Sequence, residues 1–205
     1  MAKGDRVLLV YPPSLDFIIA FLACIRASIV AVPVFPPDPR QLKKNLHLFA
    51  SVHRSSGAEV ALTNTDYNFV KKLAGLKNIF KKDGNTWPEV RWIETNKALP
   101  SVEIKDEYLE KPDPTHLAFL QYTSGSTSDP KGVMINHANL RHNIMTIVKS
   151  LKAGTDTIVV SWLPQYHDMG LIGSYLSCFY CGGSGVYMSP LSFIKNPSMW
   201  IEAIR

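Results

Sequence analysis

The stretch "LQYTSGSTSDPKGVMINHANL", residues 120–140, decides how the rest of this sequence is interpreted. Its segment 123–131 holds five hydroxyl side chains, one glycine, one proline and one lysine, Lys131. The segment lies between an apolar run and a short β-branched run, which predicts a loop between two strands. Glycine allows close backbone approach, and hydroxyls, N–H groups and a lysine attract anions. The composition therefore predicts a phosphate-binding loop, with a serine-rich surface turn as the alternative.

Two common active-site patterns do not fit this chain. The loop G-x-x-x-x-G-K-[ST] fails because the sixth position counted from Gly125 is Pro130, and Lys131 is followed by Gly132. The nucleophile pattern G-x-S-x-G fails at Ser184, because Val186 stands where the second glycine is required. The loop matches neither pattern, so a phosphate-binding loop of another type and a serine-rich surface turn both remain as interpretations.

Strand-like and helical patterns alternate along the chain. This alternation is typical of βαβ units, and it predicts an α/β fold with a mostly parallel sheet flanked by helices. One helical stripe begins after Asp38 and Pro39, which suit a helix cap followed by a first-turn proline. A second stripe extends to Leu151, with Gly154 expected to close the helix. The strand-like runs are 6–11, 29–34, 59–63, 90–94, 117–122, 157–162 and 184–188.

Residues 17–35, "FIIAFLACIRASIVAVPVF", imitate a membrane span. Arg26 near the centre of this stretch would cost about 3 kcal/mol in a bilayer, and Pro33 also argues against a span. We predict a buried helix over about 14–27 that leads into a buried strand over about 29–34.

Charge and cysteine content exclude other classes of protein. The net charge of +5 is matched by the five lysines of residues 71–82, which contain no acid, so the excess is one local patch. The sequence lacks the interleaved basic and aromatic pattern that is typical of nucleic-acid-binding proteins. Three cysteines are too few for a disulfide framework and fit a reducing, cytoplasmic compartment. Cys178 and Cys181 are interpreted as small apolar residues on a buried helix rather than as half of a metal site.

Three segments resemble the adenylate-forming superfamily, which includes acyl-CoA synthetases, fatty acyl-AMP ligases and peptide-synthetase adenylation domains. "YTSGSTSDPKGVMINHANL" is similar to the phosphate-binding signature of that superfamily. "SWLPQYHDMGLIG", residues 161–173, and "AVPVFPPDP", residues 31–39, resemble the fatty acyl-AMP ligase branch in particular. The resemblance implies that the chain activates a fatty acid with ATP, giving acyl-adenylate and pyrophosphate.

The resemblance also implies roles for individual residues. Lys131 would add positive charge at the end of the phosphate loop, followed by Gly132, and His167 would orient the incoming acid near the α-phosphate. Gly170 and Gly173 would leave room for ligand or for close helix packing. A surface His167–Asp168 pair, with Asp168 as a helix cap, is the alternative. The residues implied to cradle the β- and γ-phosphates are Thr123, Ser124, Gly125, Ser126 and Thr127.

The likeness covers only an early part of the family's large N-terminal domain. We therefore expect residues 1–205 to be a fragment of that domain, without the small C-terminal domain and with most Mg²⁺ ligands outside the chain. The implied partners are a fatty acid and an acyl carrier protein or polyketide synthase, without nucleic acid or a transmembrane segment. An acyl-CoA synthetase and a non-catalytic nucleotide- or lipid-binding module remain as alternatives.

Overall fold

The computed structural model describes residues 1–38, 42–78, 87–97, 111–123 and 130–205. Side chains are described for all of these except 42–44 and 74–78. The chain divides into two compact units, Met1–Ile135 and Asn136–Arg205, and each is described by itself below. The predicted cap at Asp38 and Pro39 involves residues 39–41, which lie outside the described part.

A six-stranded sheet organises the first unit, in the order β4-β3-β1-β2-β5-β6. The four pairs β1–β2, β1–β3, β2–β5 and β3–β4 are parallel. Runs of Val, Leu and Ala buried on both faces account for β1, β2 and β3, and the mostly parallel α/β fold predicted from the sequence is confirmed. The strands are β1 (Arg6–Leu9), β2 (Val30–Pro33), β3 (Val60–Thr63), β4 (Arg91–Glu94), β5 (Leu117–Thr123) and β6 (Lys131–Asn136).

Helices cover both faces of this sheet. The helices are α1 (Leu15–Arg26), α2 (Leu42–Ser56) and α3 (Thr65–Asn78). Phe21 of α1 packs edge-on against Phe119 of β5, with ring centroids 5.5 Å apart. On the other face, Leu46 and Phe49 of α2 join Leu120 of β5 in one buried cluster. Neighbouring residues of β5 thus point to opposite helical layers, as the period of a strand requires.

The predicted helix-to-strand passage over residues 17–35 is confirmed as α1 followed by β2. All four residues of β2 are buried, and Arg26 is the last residue of α1. Across the part of the chain that the structure describes, no helix combines the length and apolar character required to cross a membrane.

The second unit contains a two-stranded parallel sheet, β7 (Ile158–Ser161) and β8 (Ser184–Tyr187). The register pairs Ile158 with Ser184 and Ser161 with Tyr187. Its helices are α4 (His137–Leu151), a π-helix (Met169–Leu176), α5 (Ser177–Cys181), α6 (Pro190–Lys195) and α7 (Ser198–Ile204). Cys178 is buried and Cys181 partly buried on α5, both as free thiols, in line with the helix interpretation.

Helix α4 begins at a capping box and ends earlier than the sequence predicts. The side chains of Asn136 and Asn139 each accept a hydrogen bond from the other's backbone N–H. At the other end, Lys152 rather than Gly154 takes the left-handed conformation, with φ 53°. Leu151, the last residue of the predicted stripe, is also the last residue of α4 and is 71% exposed. The predicted closure at Gly154 is wrong, because Lys152 closes the helix instead.

Candidate functional site

Thr123 and Lys131 form the two ends of the candidate phosphate loop. Thr123 is the last residue of β5 and Lys131 the first of β6, and these strands are neighbours in the sheet. Because β5 is parallel to β2, Thr123 lies at the edge where the parallel strands end, the usual ligand side of such sheets. Both residues are exposed. The other predicted phosphate-binding residues, Ser124, Gly125, Ser126 and Thr127, lie outside the described residues.

Gly132 packs against the ring of Tyr122. A Cβ placed on Gly132 would lie 2.9 Å from Cζ of Tyr122 and 3.1 Å from its hydroxyl oxygen. The same hydroxyl donates a hydrogen bond of 3.0 Å to Oγ of Ser55 on α2. Gly132, predicted as a phosphate-binding residue, thus has a local packing role, and the outgoing strand contacts the incoming one directly beside Lys131.

An open groove of about 720 Å³ in the first unit lies away from these residues. It is lined by residues around the amino-terminal ends of β3 and β4, among them Arg54, Glu59 and Arg91. In a parallel sheet this is the edge opposite to the carboxyl ends. Volume alone therefore does not mark the candidate site.

His167 and Asp168 form a hydrogen-bonded pair in the second unit. Nδ1 of His167 lies 2.6 Å from Oδ1 of Asp168, and the side chains are 62% and 56% exposed. The same carboxylate oxygen accepts the backbone N–H of Met169 at 2.8 Å, so Asp168 caps the π-helix. An Nδ1–H donor to Asp168 leaves Nε2 to meet a ligand, as an acceptor in the neutral ring and as a donor in the protonated ring. Asp168 is thus the predicted helix cap, and it is at the same time the hydrogen-bond partner of the predicted site residue His167.

The backbone around His167 is closely packed. The His167 N–H donates to the carbonyl of Pro164 at 3.1 Å, and the His167 carbonyl accepts the N–H of Leu171 at 2.8 Å. Gly170 is buried, and a Cβ there would lie 2.1 Å from the Pro164 carbonyl oxygen. Nothing lies within 4 Å of a Cβ at Gly173. Of the two glycines singled out in the sequence, only Gly170 serves close packing.

Trp162, which could in principle line an acyl pocket, is part of an aromatic stack. Its ring lies parallel to that of Phe193, with centroids 4.2 Å apart. Phe193 meets Trp200 edge-on at 6.0 Å, and Nε1 of Trp200 donates to the carbonyl of Val160. The stack fastens α6 and α7 to β7, so Trp162 has a packing role.

The site residues predicted from the sequence fall into two groups. Thr123, Lys131 and Gly132 lie together in the first unit, and His167 lies in the second. Sequence analysis missed Tyr122 and Ser55, because their contact joins residues 67 positions apart. It also missed Tyr187 and Ser174, which hold the π-helix by a hydrogen bond of 3.2 Å.

The family assignment follows from comparison with known proteins. The chain matches the family described as AMP-binding enzyme over residues 1–205 and belongs to that family. The resemblance to the adenylate-forming superfamily predicted from the three motifs is thereby confirmed.

The chain is similar to two relatives and one solved structure that are named as fatty-acid or fatty-acyl ligases. It is 36% identical over 204 residues to the medium-chain-fatty-acid–acyl-carrier-protein ligase JamA of Moorena producens, a match that covers 98% of this chain and 33% of that protein. It is 33% identical to the long-chain-fatty-acid–AMP ligase FadD32 of Mycolicibacterium smegmatis, covering 98% and 30%. The crystal structure of a fatty acyl-adenylate ligase from L. pneumophila with acyl adenylate and pyrophosphate matches with a TM-score of 0.79 and 36% identity, covering 100% and 33%. The chain therefore spans about a third of the length of these relatives.

Proposed function

We propose that this chain is the part of a fatty acyl-AMP ligase that binds the phosphates of ATP and meets the fatty acid. The acid's carboxylate attacks the α-phosphorus of ATP. The bond between the α-phosphorus and the oxygen that bridges it to the β-phosphate breaks, and acyl-adenylate and pyrophosphate form. The observation that carries the proposal is the position of Thr123, which begins the loop, at the carboxyl edge of a parallel sheet, with Lys131 opening the neighbouring strand, in an AMP-binding family member. The names of the fatty-acid ligases among its relatives support the substrate class.

The proposed contribution of Lys131 is electrostatic. Its ammonium group is exposed at the start of β6, and a phosphate held by the loop would interact with it favourably. Charge on phosphate oxygens rises in the transition state of adenylation, and fixed positive charge there accelerates the reaction. The hydroxyl of Thr123, exposed at the end of β5, fits the same anion as a donor.

The proposed contribution of His167 is orientation of the acid. Asp168 fixes the ring by accepting from Nδ1, which directs Nε2 to the ligand. With Nε2 also protonated, the ring donates from Nε2–H to a carboxylate or phosphate oxygen and so positions it, while Asp168 also caps the π-helix. We propose no proton transfer by His167, because an ionised carboxylate needs none in order to attack.

The described residues fit a nucleoside triphosphate better than they fit a metal ion. A lysine and a hydroxyl at the ends of a loop suit phosphate oxygens. No cluster of three or more His, Cys, Asp or Glu side chains occurs among the described residues. Mg²⁺, which neutralises phosphate charge in this type of chemistry, would meet the site through the phosphates.

Two other functions have specific support. One relative, with 32% identity over 207 residues, is named a putative fatty-acid–CoA ligase, fadD21 of Mycobacterium leprae, which favours coenzyme A as the acceptor. A binding module without catalysis is consistent with the exposed His167–Asp168 pair.

The names of two relatives, JamA and TtuA, favour an acyl carrier protein as the acceptor, and the proposal includes that partner and a cytoplasmic location.

The proposal is tested on the longest natural protein that contains this chain. It is given ATP, Mg²⁺ and fatty acids of varied length, and acyl-adenylate, pyrophosphate and acyl-CoA are measured. We expect acyl-adenylate without acyl-CoA when coenzyme A is present. Acyl-CoA as the product selects the coenzyme A ligase instead, and no product with any acid selects the binding module.

Paired variants test the residues. Lys131→Ala and His167→Ala should each lower acyl-adenylate formation by at least about 100-fold, the loss typical of a removed electrostatic or orienting group. Lys149→Ala and His142→Ala, exposed residues of α4, serve as matched controls and should leave the rate unchanged. Equal rates in Lys131→Ala and its control would overturn the assigned role. The isolated 205-residue chain is expected to show only background pyrophosphate exchange.

A further inference from the structure

The π-helix Met169–Leu176 begins directly after the His167–Asp168 pair. A π-helix shifts hydrogen bonding from i+4 to i+5, costs stability relative to an α-helix, and is frequently found at functional sites. Such a segment persists only when surrounding groups hold it. The second unit, where every residue is described, shows which groups do so.

Tyr187, the last residue of β8, holds the middle of the π-helix. Its hydroxyl donates to the carbonyl of Ser174 at 3.2 Å. Its ring stacks on that of Tyr175, with centroids 3.9 Å apart and planes 13° from parallel. Burial, together with the nearby Cys178 thiol, raises the pKa of Tyr187.

Ser161, the last residue of β7, holds the same helix from the neighbouring strand. Its hydroxyl is buried and receives a hydrogen bond from Oγ of Ser174 at 3.1 Å. It also receives the backbone N–H of Leu163 at 3.2 Å. Leu163 begins the segment that leads through Pro164 to His167, so one hydroxyl links the π-helix to the backbone before the histidine.

Ser161 and Tyr187 face each other in the register of β7 and β8. Both form a hydrogen bond with Ser174: Ser161 with the Ser174 hydroxyl, and Tyr187 with the Ser174 carbonyl. The π-helix is thus fixed in rotation by the ends of two paired strands, and the His167–Asp168 pair lies directly before its first residue, Met169.

We propose that Tyr187, Ser174 and Ser161 are positioning residues that set the orientation of His167 for adenylation. The inference rests on the proposed function. Gly185 belongs to the same device, because a Cβ there would lie 2.2 Å from Cε2 and 2.4 Å from the hydroxyl of Tyr187. A methyl group at position 185 therefore displaces the Tyr187 ring and its hydroxyl. Two independent substitutions, Tyr187→Phe and Gly185→Ala, remove the same hydrogen bond by different routes.

The experiment compares these two variants in the longest natural protein that contains this chain, with Tyr180→Phe as the matched control. Tyr180 is a tyrosine of α5 that is 51% exposed. The first readout is the pair of ring ¹⁵N chemical shifts of His167, assigned with His167→Gln. We expect both shifts to move in Tyr187→Phe and in Gly185→Ala and to remain unchanged in Tyr180→Phe.

The second readout is acyl-adenylate kinetics. Misplacing an orienting group by about 1 Å costs up to about 100-fold, so we expect kcat to fall about 10- to 100-fold, with KM for ATP changed less than about twofold. Tyr187→Phe keeps the ring stack and should therefore keep the fold. It carries the test alone if Gly185→Ala does not express. Unchanged His167 shifts in Tyr187→Phe overturn the inference whatever the kinetics show. If the wild type makes no acyl-adenylate, the proposed function fails, and the His167 shifts still decide whether Tyr187 positions the ring.

Discussion

The α-carbon of Gly170 and the carbonyl oxygen of Pro164 approach so closely that a Cβ on residue 170 would lie 2.1 Å from that oxygen. The contact involves two backbones, so neither side can yield by rotating a side chain. Gly173, three residues further along the same π-helix, has nothing within 4 Å of such a Cβ. The two glycines thus form a matched pair for measuring what the contact requires.

We expect Gly170→Ala to destabilise the protein and Gly173→Ala to be tolerated. Overpacking costs about 1–3 kcal/mol, whereas alanine in place of glycine in a helix gains up to about 1 kcal/mol. Urea unfolding of both variants beside the wild type measures the two changes in free energy of unfolding. Equal stability of the two variants would contradict the backbone contact.

A second prediction concerns Gly132 and Tyr122. Gly132→Ala should displace the Tyr122 ring and weaken its 3.0 Å hydrogen bond to Ser55. Because the methyl group meets a side chain rather than backbone, the cost should depend on Tyr122 being present. A double-mutant cycle with Tyr122→Ala should therefore give a coupling energy of about 0.5–3 kcal/mol. Additive free energies would show that the methyl group clashes elsewhere.

A third prediction uses the thiol of Cys24. Burial in α1 raises the pKa of Cys24 from 9.0 to about 12. The folded state then keeps the proton in a range where the unfolded chain loses it. This contribution to stability is fully present below pH 9.0 and is lost as the pH rises toward about 12.

The measurement for Cys24 compares wild type with Cys24→Ala. Between pH 9.0 and about 12 the wild type should lose more free energy of unfolding than Cys24→Ala, by at most about 1.4 kcal/mol per pH unit for one group. Cys181→Ala, which changes a thiol that is only partly buried, controls for general alkaline effects. Parallel curves for wild type and Cys24→Ala would show that the thiol ionises alike in both states.

The central strands β1, β2 and β3 could be predicted because they are buried on both faces. Runs such as Val7–Val10 and Val30–Val32 remain apolar throughout, and no competing helix period is present in them. The phosphate-loop pattern between Thr123 and Lys131 is local in the same sense, because its hydroxyls, glycine and lysine are close together in the chain, and it stays a prediction. These features depend on neighbouring residues and are therefore visible in one sequence.

The parts that escaped prediction depend on contacts between distant residues. The segment 169–176 has an apolar pattern that fits an α-helix equally well, and the Ser161 and Tyr187 hydroxyls that support a π-helix come from separate strands. The end of α4 at Leu151 depends on backbone bonds from Lys152 and Ala153, not on the apolar stripe. The contact of Tyr122 with Ser55 likewise requires the folded sheet.

The final prediction concerns Glu94, at the end of β4. Its carboxylate pairs with Lys97 at 2.5 Å and accepts from Nδ2 of Asn68 at 2.5 Å. The hydrogen bond from Lys97, followed by that from Asn68, holds the pKa of Glu94 below its ordinary value of 4.5. A carboxyl whose pKa is lowered in the folded state stabilises the fold above pH 4.5, and this contribution is lost as the pH falls through the folded value.

Glu94→Gln removes this titration while keeping an amide oxygen that can accept from Asn68. On acidification from about pH 7 to about pH 3, the wild type should therefore lose more free energy of unfolding than Glu94→Gln does. Glu89→Gln, at an exposed glutamate of the same unit, should follow the wild-type curve. The measurement is urea unfolding at a series of pH values for the three proteins. If Glu94→Gln and the wild type lose stability in parallel, the Lys97 and Asn68 contacts do not favour the ionised carboxylate, and the charge pair at the end of β4 contributes nothing specific to the fold.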